Sequence, residues 1–356
     1  MARRSSIVLV TGVLLAVVLT VVDAACSGGG GRREAGCAPV LCASATPSAV
    51  PPPPPTTSPP APPPSPSASP HPSASSGAAP TATGPCTSPG PCGFPDASTT
   101  GPRIALTPHT IGGLSIHTDG TVISGWDITG SLDIYANNVT VIDSRITSTN
   151  WWGINLRSGY QGLRVLHDTI TALPGKGPDN GGEDYAVSNM GVSRVEVGWS
   201  DISVFGNALS MGQGELHDNY VHDIAPFVNT DGQWAHTDAV ISDGGGQGQL
   251  VIRHNTLLNP VGIDRGASAA IGLYPDTASV SNTTVDHNWL AGGAYSLYGG
   301  GVGASGIVVT DNVFSPQYHP AAGAYGQAAH WNAGGAGNVW SGNRTTDGTE
   351  VTAPPP

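Results

Sequence analysis

The feature that most constrains this chain is a six-residue pattern that returns again and again after residue 120. Each copy has an aliphatic residue, two mostly polar or small residues, a small polar residue, any residue, and then usually an aliphatic one. Copies lie at 123–128, 141–146, 165–170, 197–202, 216–221, 252–257, 285–290 and 309–314, with a degenerate ninth copy beginning at Trp340. Successive starts are 18 to 36 residues apart, the spacing of one supersecondary unit per repeat, which suits a solenoid. Apolar residues alternate within a copy, so the copies read as strands rather than helices. The fourth position reads Trp126, Ser144, Asp168, Ser200, Asn219, Asn255, Asn288, Asn312 and Asn343. An Asn recurring once per coil can occupy a sharp left-handed turn and hydrogen-bond to its counterpart in the next coil, forming a ladder.

The rest of the chain has a different composition. Most of its 32 prolines precede residue 103, and residues 44–85 are almost entirely Pro, Ser, Ala and Thr. Such a stretch has nothing to bury and is expected to be a disordered, extended tether. Arg3 and Arg4, the 16-residue apolar run at 7–22 and the small residues Ala24 and Ala25 have the order of a secretory signal, and the run is shorter than the ~20 residues of a membrane-spanning helix. Cys26, followed by a Ser/Gly stretch, resembles the lipidated cysteine of bacterial lipoproteins, although Asp23 departs from that pattern. Lipid anchoring at Cys26 and plain secretion after cleavage near Ala24 or Ala25 both remain open. The other four cysteines (37, 42, 86 and 92) can close two small loops, Cys37 with Cys42 and Cys86 with Cys92. The expected organisation is therefore a signal peptide (1–25), a tether (26–102), one repeat domain (103–346) and a disordered tail (347–356).

At 251–257 and 284–290 the repeat is clear enough that the chain resembles the pectate-lyase-like superfamily. The resemblance implies an all-β, right-handed parallel β-helix solenoid of about nine coils with an Asn ladder, and it covers roughly 103–346. It also implies three strands per coil, with the Asn turn joining the second strand to the third. Substrate would lie along the first strands, here 132–136, 153–157, 185–189, 208–211, 238–242, 270–274 and 295–298. Inserted loops are expected just before them, at 173–184, 225–236 and 258–268.

The net charge of −12, with Lys176 as the one lysine, argues against nucleic acid, whose phosphates call for clustered Lys and Arg. The expected partner is an extracellular polysaccharide, bound by a monomer that is secreted or held on the outer face of the membrane. The densest run of titratable groups lies between His222 and Asp243 and includes Asp223, Asp231, His236 and Asp238. His236 and Asp238 stand two apart at a strand entry, so imidazole and carboxylate can project to one side and act together. Lyase chemistry needs a base, usually Lys or Arg, and a cation to acidify the proton α to a uronate carboxylate. Lys176 and Arg265 are the candidate bases, Ca²⁺ the candidate cation, and Asp231 and Asp243 its candidate ligands. Arg157, Trp234, Tyr274 and Tyr298 are candidate substrate contacts, the aromatic ones because flat rings stack on sugars. The sequence 229–232 resembles the first catalytic motif of polygalacturonases, but the remainder of that pattern is missing. The competing expectation is a non-catalytic surface module that holds glycan or protein.

Overall fold

The computed structural model describes residues 87–189, 193–244 and 248–355. The segment expected to be a signal peptide, Cys26 and nearly all of the expected tether lie outside the described residues. Within them the chain is almost entirely strand. One nine-stranded sheet is built from the repeat itself, running from Val122–Ser124 through Leu250–Arg253 to Val339–Ser341. A seventeen-stranded sheet holds the other two strands of each coil. Every strand pairs in parallel with its counterpart in the next coil, as when Ile252 pairs with Val285 and Val285 with Val309. This is the pairing of a β-solenoid. Its interior is a continuous column of aliphatic side chains, among them Val141, Val165, Val197, Ile252 and Val285, all fully buried.

The turn between the second and third strands follows the repeat in every copy. The fourth-position side chain accepts the backbone N–H of its counterpart one coil earlier: Trp126 N–H reaches Ser144 Oγ, Ser144 N–H reaches Asp168 Oδ1, and Ser200 N–H reaches Asn219 Oδ1. From Asn219 to Asn343 both the backbone N–H and Nδ2 donate to the next Asn Oδ1, at 2.9 to 3.1 Å. The ladder therefore exists, but the left-handed residue is not the Asn. It is the residue before it: Asp143, His167, Trp199, Asp218, His254, His287 and Asp311 have φ between 51° and 55°, and Gly125 and Gly342 take that position in the end copies. The Asn is required for its amide, which satisfies buried backbone groups that a sharp turn leaves over.

Two boundaries differ from expectation. Residues 89–102, assigned to the tether, form with Arg103 a strap across the outside of the solenoid. Phe94 is 4% exposed and lies against His254, His287 and Trp289 with ring centroids 5.8, 5.1 and 5.6 Å away. His254 Nε2 donates to the Gly93 carbonyl and Thr256 Oγ1 to that of Pro95. Further on, Gly101 N–H reaches Trp199 O and Arg103 pairs with Asp143 through two 2.8 Å hydrogen bonds. The strap thus descends over several coils before the chain enters the strand Thr107–Ile116. It also explains Trp289, which by its place in the repeat would be expected to cap the core but is buried outside it, under Phe94. Cys92 is disulfide-bonded, and since every other cysteine precedes residue 87, its partner lies outside the described residues. At the other end, 347–355 does not leave the fold as a free tail. Val351 is buried, donates its N–H to Asn343 O and accepts from Trp340 Nε1, so it closes the last coil.

Candidate functional site

The first strands are where the repeat places them, including Trp152–Leu156, Tyr185–Asn189, Asn207–Ser210, Thr237–Ser242, Ala267–Leu273 and Tyr295–Gly299. Two of the three inserted loops brace each other. Asp179 Oδ1 accepts Thr230 N–H, and Asn180 Nδ2 donates to the carbonyls of Val228 and Asn229. Phe227 packs so closely over Gly182 that a Cβ there would lie 2.2 Å from its ring. The third loop contributes a short 3-10 turn, Ile263–Arg265.

Register carries out what the sequence could only suggest. Asn207 is the strand partner of Asp238, and Asp238 that of Ala269. Asn207 Nδ2 donates to Asp184 Oδ1 (2.8 Å) and to His236 O (3.1 Å). Tyr274, whose ring lies over Gly272, donates its hydroxyl to Asp238 Oδ1 at 2.9 Å. Asp238 is fully buried, yet its Oδ2 has no hydrogen-bond partner and the residue lines an open cleft of about 450 Å³. His236, Ser268, Tyr274, Asp276 and Tyr298 share that cleft. Burial pushes the Asp238 carboxyl up to about 8, against the Tyr274 hydroxyl and Ala269 N–H, with the charges of Asp243 and Asp184 adding to the rise. Asp184, also buried, is pushed up to about 6 by desolvation against its bonds to Asn207 and Tyr185. With its carboxyl raised to about 8, Asp238 favours its protonated form at neutral pH, and its bare oxygen, held in the wall of the cleft, can then act as a hydrogen-bond donor.

Four of the sequence candidates, His236, Asp238, Tyr274 and Tyr298, are thus brought together. The expected imidazole–carboxylate partnership is not formed, because Asp238 turns to Tyr274 while His236 is exposed. The other candidates lie elsewhere. Lys176 is exposed in a turn, where its backbone N–H meets Glu183 Oε1. Arg265 is exposed on the 3-10 turn and makes no ion pair among the described residues, so the Asp264–Arg265 pairing that adjacency suggests is not made. Arg157 is engaged by Asp133 at 2.9 Å and by the rings of Trp152 and Tyr135, at 4.6 and 5.5 Å. Trp234, 41% exposed, lines a separate cleft with Phe227.

Asp231 bonds within its own hairpin, accepting Gln233 N–H, so 229–232 is a turn and not a site on a first strand. Asp243 is exposed beyond the end of its strand. Among the described residues no group of three or more His, Cys, Asp or Glu is placed to hold a metal ion. His222 belongs to a different face, between Asp201 and Asp223 at 2.9 and 2.7 Å. What read as one cluster from 222 to 243 is dispersed by the coil geometry. Asp184, Asn207, Ser268 and Asp276 were missed, because only coil-to-coil register brings them to Asp238.

Compared with protein-family models, with curated proteins and with solved structures, the chain matches none. What can be said of its class rests on the repeat and the geometry.

Proposed function

We propose that this chain is an exported, right-handed parallel β-helix protein of the pectate-lyase-like kind, secreted or lipid-anchored at Cys26, that binds an extracellular polysaccharide on its first-strand face. The right hand follows from the near-universal handedness of crossovers between parallel strands. The observation that carries the binding site is the buried Asp238 Oδ2, without a partner, at the wall of a cleft formed by Tyr274 and Tyr298. A buried polar atom left bare costs free energy unless a ligand completes it, and tyrosine rings beside it offer sugars a stacking surface. The lyase-type reading gains less, since neither Lys176 nor Arg265 lines the cleft.

The test is affinity electrophoresis of the purified protein through gels containing different polysaccharides. At least one should retard the wild type, and Tyr298→Ala should lose about tenfold or more of that affinity with its melting temperature intact, as expected for a ring at the centre of a contact. Equal retardation of wild type and Tyr298→Ala would place binding elsewhere.

A further inference from the structure

The 450 Å³ cleft does not end at Tyr298. Tyr298 stacks on His330 (5.3 Å between centroids) and meets Tyr295 edge-on (5.5 Å), and Tyr295 in turn adjoins Tyr325 (6.0 Å). Those last three residues line a second open cleft of about 530 Å³, walled on its far side by 351–355. Tyr274, 5.2 Å from Tyr298, begins the same aromatic run beside Asp238. Asp238 pairs with Ala269, the strand of Ala269 with that of Tyr295, and Tyr295 with Gly326, so at about 4.8 Å per coil the run from Asp238 to Gly326 in the second cleft is about 14 Å long. That accommodates several sugar residues rather than one.

The charge of this path is equally informative. No lysine or arginine lines either cleft, whereas Asp238 and Asp276 do. The described arginines at 103, 145, 157, 164, 194 and 253 are paired with the chain's own carboxylates, while Arg265, on the turn whose Ile263 and Gly266 line the first cleft, and Arg344 have no ion pair among the described residues but line neither cleft. A uronate carboxylate entering here would lose water, meet no cation in the cleft lining and face the Asp276 carboxylate, all of which oppose binding. A neutral pyranose has hydroxyls for hydrogen bonding and C–H faces for the rings.

We infer that the first-strand face takes a neutral glycan rather than a uronate polymer, lying along Tyr274, Tyr298, Tyr295 and Tyr325 and accepting a hydrogen bond from Asp238 Oδ2. The inference rests on the polysaccharide-binding reading and names the ligand class for that site. It implies a pH dependence. The groups that face or electrostatically couple to Asp238 are Tyr274, Asp184, Asp243, Asp276, Tyr298 and His236. With the carboxyl raised to about 8, the donor is present below that pH and becomes a charged acceptor above it.

Calorimetric titration at pH 6 and pH 9.5 tests this with a neutral β-glucan, a mannan and a neutral galactan, set against polygalacturonate and alginate. The expected result at pH 6 is binding of a neutral polymer at least about tenfold tighter than of either uronate polymer, and about tenfold weaker neutral binding at pH 9.5. In Asp238→Asn the pH dependence between those two values should disappear. Uronate binding that Tyr298→Ala abolishes would leave the polysaccharide site standing but overturn the neutral preference. A wild-type affinity that does not change with pH would overturn the role of Asp238. Failure of every polymer to bind would overturn the inference together with the reading beneath it.

Discussion

Replacing Asn255 by leucine is expected to destabilise the solenoid by about 4 kcal/mol, among the largest effects a single substitution should have here. Asn255 Oδ1 accepts both the N–H and Nδ2 of Asn219, and its own Nδ2 donates to Leu216 O, Arg253 O and Asn288 Oδ1. A leucine strands donors and acceptors inside the wall of the coil, at roughly 1–3 kcal/mol for each buried group left without a partner. The apolar side chain recovers little, since the site is already filled and overpacking has its own cost. Because neighbouring rungs share the network, Asn255→Leu combined with Asn288→Leu should cost less than the sum of the two. Denaturant unfolding of the three variants measures both quantities. A loss below about 1 kcal/mol for Asn255→Leu would mean that the ladder is decorative.

The second large effect concerns Asp238 and runs opposite to the usual behaviour of a carboxylate. Its folded-state value of about 8 lies far above that of an ordinary, exposed aspartate. Between roughly pH 4 and pH 8 the folded protein keeps a proton that the unfolded chain has released, so stability falls as pH rises and the loss is complete above about pH 8. The full span is on the order of 5 kcal/mol. Asp184, at about 6, adds a smaller decline of the same sign. Asp238→Asn keeps an acceptor for the Tyr274 hydroxyl and cannot ionise, so above pH 8 it should exceed the wild type in stability by several kcal/mol, with the gap closing towards pH 4. Melting temperatures across that range give the comparison. A wild type that gains on Asp238→Asn as pH rises would show that the carboxylate is ionised and paired in the folded state.

Much of this architecture was legible in the sequence because it is periodic. One aliphatic–polar alternation and one fourth-position residue, repeated nine times, specify the second strands, the turn and the ladder. The repeat also locates the first strands, and that is why His236, Asp238, Tyr274 and Tyr298 could be chosen together. What the repeat could not reveal is pairing across coils. Asp184 and Asn207 are 54 and 31 residues from Asp238 along the chain, and only parallel register makes them neighbours. Density of charge along the sequence misled for the same reason, since His222, Asp231 and His236 leave one loop for three different places. The strap was missed because Pro, Ser and Thr dominate it, while its attachment depends on one aromatic, Phe94, and on backbone carbonyls that no composition records.

The proposed function requires that the first-strand face hold the ligand. Hydrogen–deuterium exchange of the full chain, with and without a polysaccharide that binds it, tests this directly. Protection is expected in 236–243, 266–274, 295–299 and 325–330, the segments that build the two adjoining clefts, with the second-strand sheet unchanged. Protection confined to the second-strand sheet or to the strap at 89–103, with the Asp238 cleft exchanging as before, would contradict it.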